Sequence, residues 1–155
     1  MHAHALLTST PEGSTDYVEA DVRDPDTILE HAAKSLDFDR PVGLMMLGIA
    51  GQLPDADDPW SIVRRLLAPL SSGSFLALCD GTDTSPTLNE AIAAYNANSA
   101  SSYHLRGADQ IARFFEGLEV VEPGVVSTTK WRPDLASVDG SPQDVNSFCG
   151  VGRKR

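Results

Sequence analysis

Apolar positions along the chain follow two spacings. Short runs of consecutive or alternating apolar residues occur at Asp16–Ala20, Val42–Ile49 and Phe75–Asp80, and these predict strands. Between them, Trp60, Val63, Leu66, Leu67 and Leu70 recur at helical spacing. Turn chemistry marks the switches. Asp24-Pro25 offers an N-cap and a first-turn proline, so Asp26–Leu36 is expected to be helical. Asp58-Pro59 repeats the signal before Trp60, and Pro69 should kink or end that second helix. Further helices are expected from about Thr87 to Ala97 and from Ala108 to Glu116, the latter closed by Gly117. Met1–Thr10 has the pattern of a helix end, closed by "STPEGST". "LEVVEPG" and "VVSTTKW" are strand-like, "RPDLASVDGSPQD" is a polar loop, and "VNSFCGVGRK" is a last strand.

This alternation of strand and helix patterns implies a single α/β domain over 1–155, with a mainly parallel sheet and one antiparallel member near the end. The near-continuous apolar run Val42–Ile49 suits a parallel strand covered on both faces. Parallel sheets bind ligands at the carboxyl ends of their strands. Three edges are picked out by that rule: Asp21–Asp24, Gly48–Asp55 and Asp80–Asp83.

Composition narrows the function classes. The 155 residues include 41% apolar and 22% charged residues, as in an ordinary globular domain. The longest apolar stretch, "VGLMMLGIAGQL", falls short of the roughly 18 residues a membrane helix needs. The first ten residues lack the basic and apolar regions of a signal peptide, so a cytoplasmic location is expected, with no membrane partner. A formal charge of −10 disfavours wide phosphate-backbone binding, so no nucleic-acid partner is expected. The terminal "RKR", Arg153–Arg155, reads as a frayed, solvated tail. Cys79 and Cys149 make neither a disulfide framework nor a zinc site, and read as reduced, buried packing residues.

Several side chains could carry chemistry. Asp21, at a strand end, can accept a hydrogen bond from an exocyclic amine, and Arg23 can pair with a carboxylate or stack on a ring. Capping of the next helix by Asp21 and Asp24 is the simpler account, and spacing alone favours it. Gly48 and Gly51 permit close backbone approach of a ligand. Asp55, Asp57 and Asp58 crowd one loop, where capping and solvation are favoured over a hard cation. His2 and His4 have no further ligand at a metal spacing, so no metal is expected. His104 could act as a general base, although a surface histidine is the commoner case. Nucleophile-elbow and phosphate-loop motifs are absent, which argues against a small hydrolase. "GVG", Gly150–Gly152, precedes no helix and is no dinucleotide loop.

"LLTSTPEGSTDYVEADVRDPDTIL", "LPDADDPWSIV", "SSGSFLAL" and "ARFFEGLEVVEPGVVSTTKWRPD", in this order, resemble the actinobacterial S-adenosyl methyltransferase family over most of the chain. The resemblance implies a Rossmann-like class I methyltransferase fold of seven strands, the last antiparallel. "DYVEA" would be strand three, "VGLMMLGI" strand four and "SFLALCD" strand five. The closing hairpin would place its final strand between strands five and six. The implied cofactor is S-adenosyl-L-methionine. By the same resemblance Asp21 meets the adenine amine, with Val22 and Arg23 beside the ring. Leu47–Gly51, with Leu47, Gly48 and Gly51 as contacts, lie along the methionine part. Gln52 and Leu53 depart from the family pattern at a position facing the acceptor. Family members carry about a hundred further residues upstream, holding the Gly-rich loop and the ribose-binding carboxylate. The expectation is therefore an incomplete sheet of strands three to seven, lacking the first two. Cofactor binding by this chain would then be weak or absent. His104 and Asp80 are the candidate bases, and an exposed sheet edge leaves a homodimer open as a partner mode. The rival expectation is a non-enzymatic remnant or interaction module.

Overall fold

The computed structural model describes residues 9, 11–133 and 142–155. The predicted helix end within Met1–Thr10, the histidines His2 and His4, and most of the predicted polar loop lie outside the described residues. Among the described residues the strands are β1 (Gly43–Leu47), β2 (Phe75–Gly81), β3 (Glu119–Val120), β4 (Val126–Ser127) and β5 (Ser147–Arg153). The helices are α1 (Pro25–Ala32), α2 (Pro59–Leu67), α3 (Pro86–Asn98) and α4 (Ala108–Ala112), the last continuing as a 3-10 turn over Arg113–Phe115.

One mixed sheet runs in the order β1-β2-β5-β3, with β4 also paired to β5. β1 and β2 are parallel, while β5 is antiparallel to β2, β3 and β4. Four strands thus share a direction, and the last strand in sequence opposes them from between β2 and β3. Two helix starts follow the sequence signals, and a third, at Ser85-Pro86, is built in the same way. Asp24 accepts from Thr27 N at 3.2 Å, Asp58 from Ser61 N at 3.2 Å and Ser85 from Leu88 N at 3.3 Å, each before a first-turn proline. These caps satisfy amides that have no partner within the helix.

The core lies on one side of the sheet. Trp60, Ile62, Val63, Leu66 and Leu67 of α2 join Ile111, Phe114 and Phe115 in one cluster with Met46, Leu76 and Leu78. Room for Phe115 comes from β5: a Cβ on Gly150 would lie 2.9 Å from its Cζ, and one on Gly152 3.0 Å from its Cδ1. "GVG" is therefore a packing groove for an aromatic ring.

Several expectations are corrected. Asp16–Ala20 is not a strand and has no regular secondary structure, with Tyr17 exposed. A strand exists through its ladder partners, and no described strand lies beside this segment. β1 is not covered on both faces. Its burial alternates, with Leu44 and Met46 turned inward and Met45 and Leu47 exposed by 66% and 57%. β2 alternates just as strictly, so among the described residues one face of these strands is open. Its exposed members Met45, Leu47 and Phe75 are apolar. Cys79 and Cys149 lie directly opposite one another on β2 and β5, both half-buried rather than buried. α1 ends at Ala32 rather than Leu36, because the chain tightens into turns through Lys34 N–His31 O and Ser35 N–Ala32 O bonds. The basic terminus is not frayed. Arg153 belongs to β5, and Lys154 Nζ donates to Leu67 O, Ala68 O and Leu70 O at 2.9, 2.8 and 2.6 Å, capping the end of α2. A cation is well placed there, where the last carbonyls of a helix lack partners.

Candidate functional site

Asp21, Val22 and Arg23 form the turn that leads into α1. Val22 packs against the core, which fixes the turn while its neighbours face outward. Asp21 accepts from Arg23 N at 2.9 Å and from Arg23 Nε and Nη2 at 2.9 and 2.5 Å. The Arg23 side-chain bonds, then its backbone amide, bring the Asp21 carboxyl down from 3.8 to about 2. Arg23 Nη1 also lies 3.9 Å from Asp57. The aspartate is thus held ionised and oriented, with a half-exposed carboxylate. Removing the guanidinium in Arg23→Gln should return the Asp21 carboxyl toward 3.8, since a lost cation and lost donors both favour the protonated form. A pH titration of the carboxyl carbon by NMR reads this directly, and an unchanged midpoint would refute it.

These three residues border an open hollow of about 430 Å³, together with Gln52–Pro54 and Ala100–Ser102. Leu47, Gly48 and Gly51 do not line it. Leu47 is exposed on the open sheet face. Gly48, at φ +71°, donates its N–H to Cys79 O at 2.8 Å. Gly51 lies buried beneath Tyr103, where its N–H donates to Asp80 Oδ2 at 2.7 Å and its carbonyl accepts from His104 N at 2.7 Å.

Asp80, at the end of β2, is buried and gathers its surroundings. Besides Gly51 N, it accepts from Gly81 N at 2.9 Å and from the Tyr103 hydroxyl. Burial first, and the Asp80 bond second, push the Tyr103 phenol up to about 12, so it stays a donor. The Asp80 oxygens are therefore taken up in joining three segments. His104 is half-buried, with Nε2 3.2 Å from Ser102 Oγ. It lines a second open hollow of about 550 Å³ under α3, and Pro54 borders both hollows.

The sequence model of a family described as S-adenosyl methyltransferase matches residues 1–155. The chain belongs to the S-adenosyl methyltransferase family. The crystal structure of a DUF574-family protein from Streptomyces avermitilis MA-4680 is 44% identical, with a TM-score of 0.88 over 99% of this chain and 60% of that one. A candidate methyltransferase from Thermobifida fusca YX is 34% identical, with a TM-score of 0.83 over 99% of this chain and 58% of that one. An O-methyltransferase family protein from Burkholderia thailandensis, 15% identical with a TM-score of 0.59 over 99% of this chain and 38% of that one, shares the fold. No curated protein matches. The chain spans about 60% of the length of the first two relatives.

In this S-adenosyl methyltransferase family chain, one site-shaping residue has no signal in the sequence. Arg106, only 3% exposed, donates from Nη1 to Ala50 O at 2.7 Å and from Nη2 to Leu53 O at 2.6 Å. Its Nε and Nη2 also reach Asp55 Oδ1 at 3.0 and 2.8 Å. The guanidinium lies 5.5 Å from the Trp60 ring centroid and 5.9 Å from that of Phe114. It fixes the loop that follows β1, and so the Gln52–Pro54 wall of the first hollow. In "YHLRG" nothing distinguishes this arginine from a solvated one. The acidic loop is accounted for in the same way: Asp55 pairs with Arg106, Asp57 lies near Arg23, and Asp58 caps α2. Among the described residues, no group of three His, Cys, Asp or Glu side chains is placed to hold a metal, and no helix is long and apolar enough to cross a membrane.

Proposed function

We propose that the chain is the C-terminal part of an S-adenosylmethionine-dependent methyltransferase, and that these residues alone bind the cofactor weakly or not at all. One observation carries the reading. In a chain of this family, the ionised Asp21 and its partner Arg23 meet the segment after β1 at a single hollow. A carboxylate fixed in that way accepts from an exocyclic adenine amine, with Val22 and Arg23 flanking the ring. The family pattern assigns Leu47, Gly48 and Gly51 to the methionine part; they lie outside this hollow, so that part would have to run past it along the end of β1. When bound, the cofactor supplies an electrophilic methyl group. The residues here act chiefly by placing and orienting, which can account for much of a methyl-transfer rate without a dedicated base. His104 is the remaining candidate for taking a proton, since the Asp80 oxygens are occupied.

Isothermal titration with S-adenosylhomocysteine tests the proposal. The chain itself should bind weakly or not at all. A version extended by the remaining segment of the Streptomyces avermitilis relative should bind roughly tenfold tighter or more, a gain of about 1.4 kcal/mol. Absence of binding by both would sink the reading. A second reading, a non-enzymatic interaction module, is favoured by the outer edge of β1. That edge has no described partner, and its sequence "GLMML" has no charge or proline to blunt it. Pairing of two β1 edges would give a homodimer, which sedimentation velocity detects. Micromolar cofactor binding by the chain alone would remove the ground for this second reading.

A further inference from the structure

α3 spans 13 residues, none of them buried. Its inward stripe is Leu88, Ile92 and Asn96, each only half-buried. Carboxamides hold the helix in place instead of packing. Asn89 Nδ2 donates to Asp83 O at 2.9 Å. Asn96 accepts from Tyr103 N and donates to Tyr103 O, both at 2.8 Å. The space left between α3 and the 103–105 segment is the second hollow of about 550 Å³, within the size range of small-molecule sites.

The chemistry of that hollow is asymmetric. Ile92, Ala93 and Leu105 form an apolar wall, His104 contributes a ring, and the carboxylates of Asp55 and Asp83 lie at the polar side. No lysine or arginine lines it. Asp55 is shared with Arg106, whereas the Asp83 carboxylate has no hydrogen bond or ion pair among the described residues. The position is equally specific. Pro54 borders this hollow and the one at Asp21, and the Ser102–His104 contact joins a residue of one to a residue of the other.

We infer that the hollow beneath α3 receives the methyl acceptor, and that this acceptor is a small molecule with an apolar body and an amine. The inference rests on the methyltransferase reading above. An ammonium meets a free carboxylate at Asp83, while a carboxylate-bearing ligand of equal size meets like charge there, the nearby Arg106 guanidinium being buried and taken up by Asp55, Ala50 O and Leu53 O. Ile92 and Ala93 would cover the apolar body, with α3 acting as a thinly packed cover.

A matched pair of probes tests this on the 155-residue chain: 2-phenylethylamine and 3-phenylpropionate, followed by amide NMR shifts. The amine should bind roughly tenfold tighter or more than the acid, with shifts at Asp83, Ile92 and His104. Asp83→Asn should abolish that preference, and Ile92→Trp should fill the hollow and block both probes. Asp83 is exposed, so the first variant carries the test should the second fail to fold. Equal affinity for the two probes, or a preference unchanged in Asp83→Asn, would overturn the inference. The titration with S-adenosylhomocysteine is read separately. Cofactor binding by the extended version without an amine preference overturns this inference alone. Amine binding with no cofactor binding by either version overturns the acceptor role together with the methyltransferase reading.

Discussion

Arg106→Met should lower the stability of the chain by roughly 3 kcal/mol, the scale for losing two charge-assisted hydrogen bonds to buried carbonyls. Methionine keeps much of the apolar stem against Trp60 and Phe114 but cannot donate. Leu53 O, now bonded at 2.6 Å, would lose its donor, and Ala50 O, now bonded at 2.7 Å, would keep only the Leu53 N–H at 3.1 Å. Asp55→Asn should do far less, because its side chain is half exposed and water can replace the lost ion pair. Urea midpoints for the two variants, at a common slope, decide the matter. A loss below about 1 kcal/mol in Arg106→Met would mean that the loop after β1 re-forms without its anchor. The 52–54 wall should also loosen in Arg106→Met, visible as faster amide exchange there while β2 and β5 remain protected.

Gly51→Ala should cost about 2 kcal/mol, within the usual range for overpacking. A methyl group there would sit 2.3 Å from Tyr103 Cζ, 2.6 Å from Cε2 and 2.8 Å from Asp80 Oδ1. The ring must swing away, and its hydroxyl then leaves Asp80. Two effects add: the clash itself, and a buried carboxylate short of a donor. Tyr103→Ala removes the obstacle, so the two changes should be strongly non-additive. Thermal or urea unfolding of the four proteins completes the cycle. Additive losses would show that the contact between Gly51 and Tyr103 is not what requires glycine. The phenol also reports the change, because a Tyr103 ring moved toward water should titrate nearer the ordinary value of 10 than its present value of about 12.

The elements that were legible from sequence are those whose signals are local. Asp24-Pro25 and Asp58-Pro59 mark helix starts because an oxygen three residues before an amide and a proline without an N–H act within one turn. β2 read correctly because a short apolar run between turn residues is a local strand signal. Asp16–Ala20 read as a strand on the same kind of signal, yet a strand needs a neighbour, and neighbours are not written locally. Lys154 and Arg106 were opaque on similar grounds. Each is a cation whose partners lie some 50 to 87 residues away in sequence, so its burial depends on how the chain returns. Of the candidate site residues, Asp21 to Arg23 border one hollow, while Leu47 lies on the open sheet face and Gly51 under Tyr103; how the chain places these segments relative to one another is not written locally.

The open face of β1 and β2 has a thermodynamic consequence. Met45, Leu47 and Phe75 remain hydrated in the folded chain, so folding releases less ordered water than the apolar content of these strands would allow. The heat-capacity increment of unfolding is correspondingly smaller than for a domain of this length with both sheet faces covered. The withheld part reappears elsewhere: whatever layer settles on that face carries its own negative heat-capacity change on association, and so binds with an affinity that depends steeply on temperature.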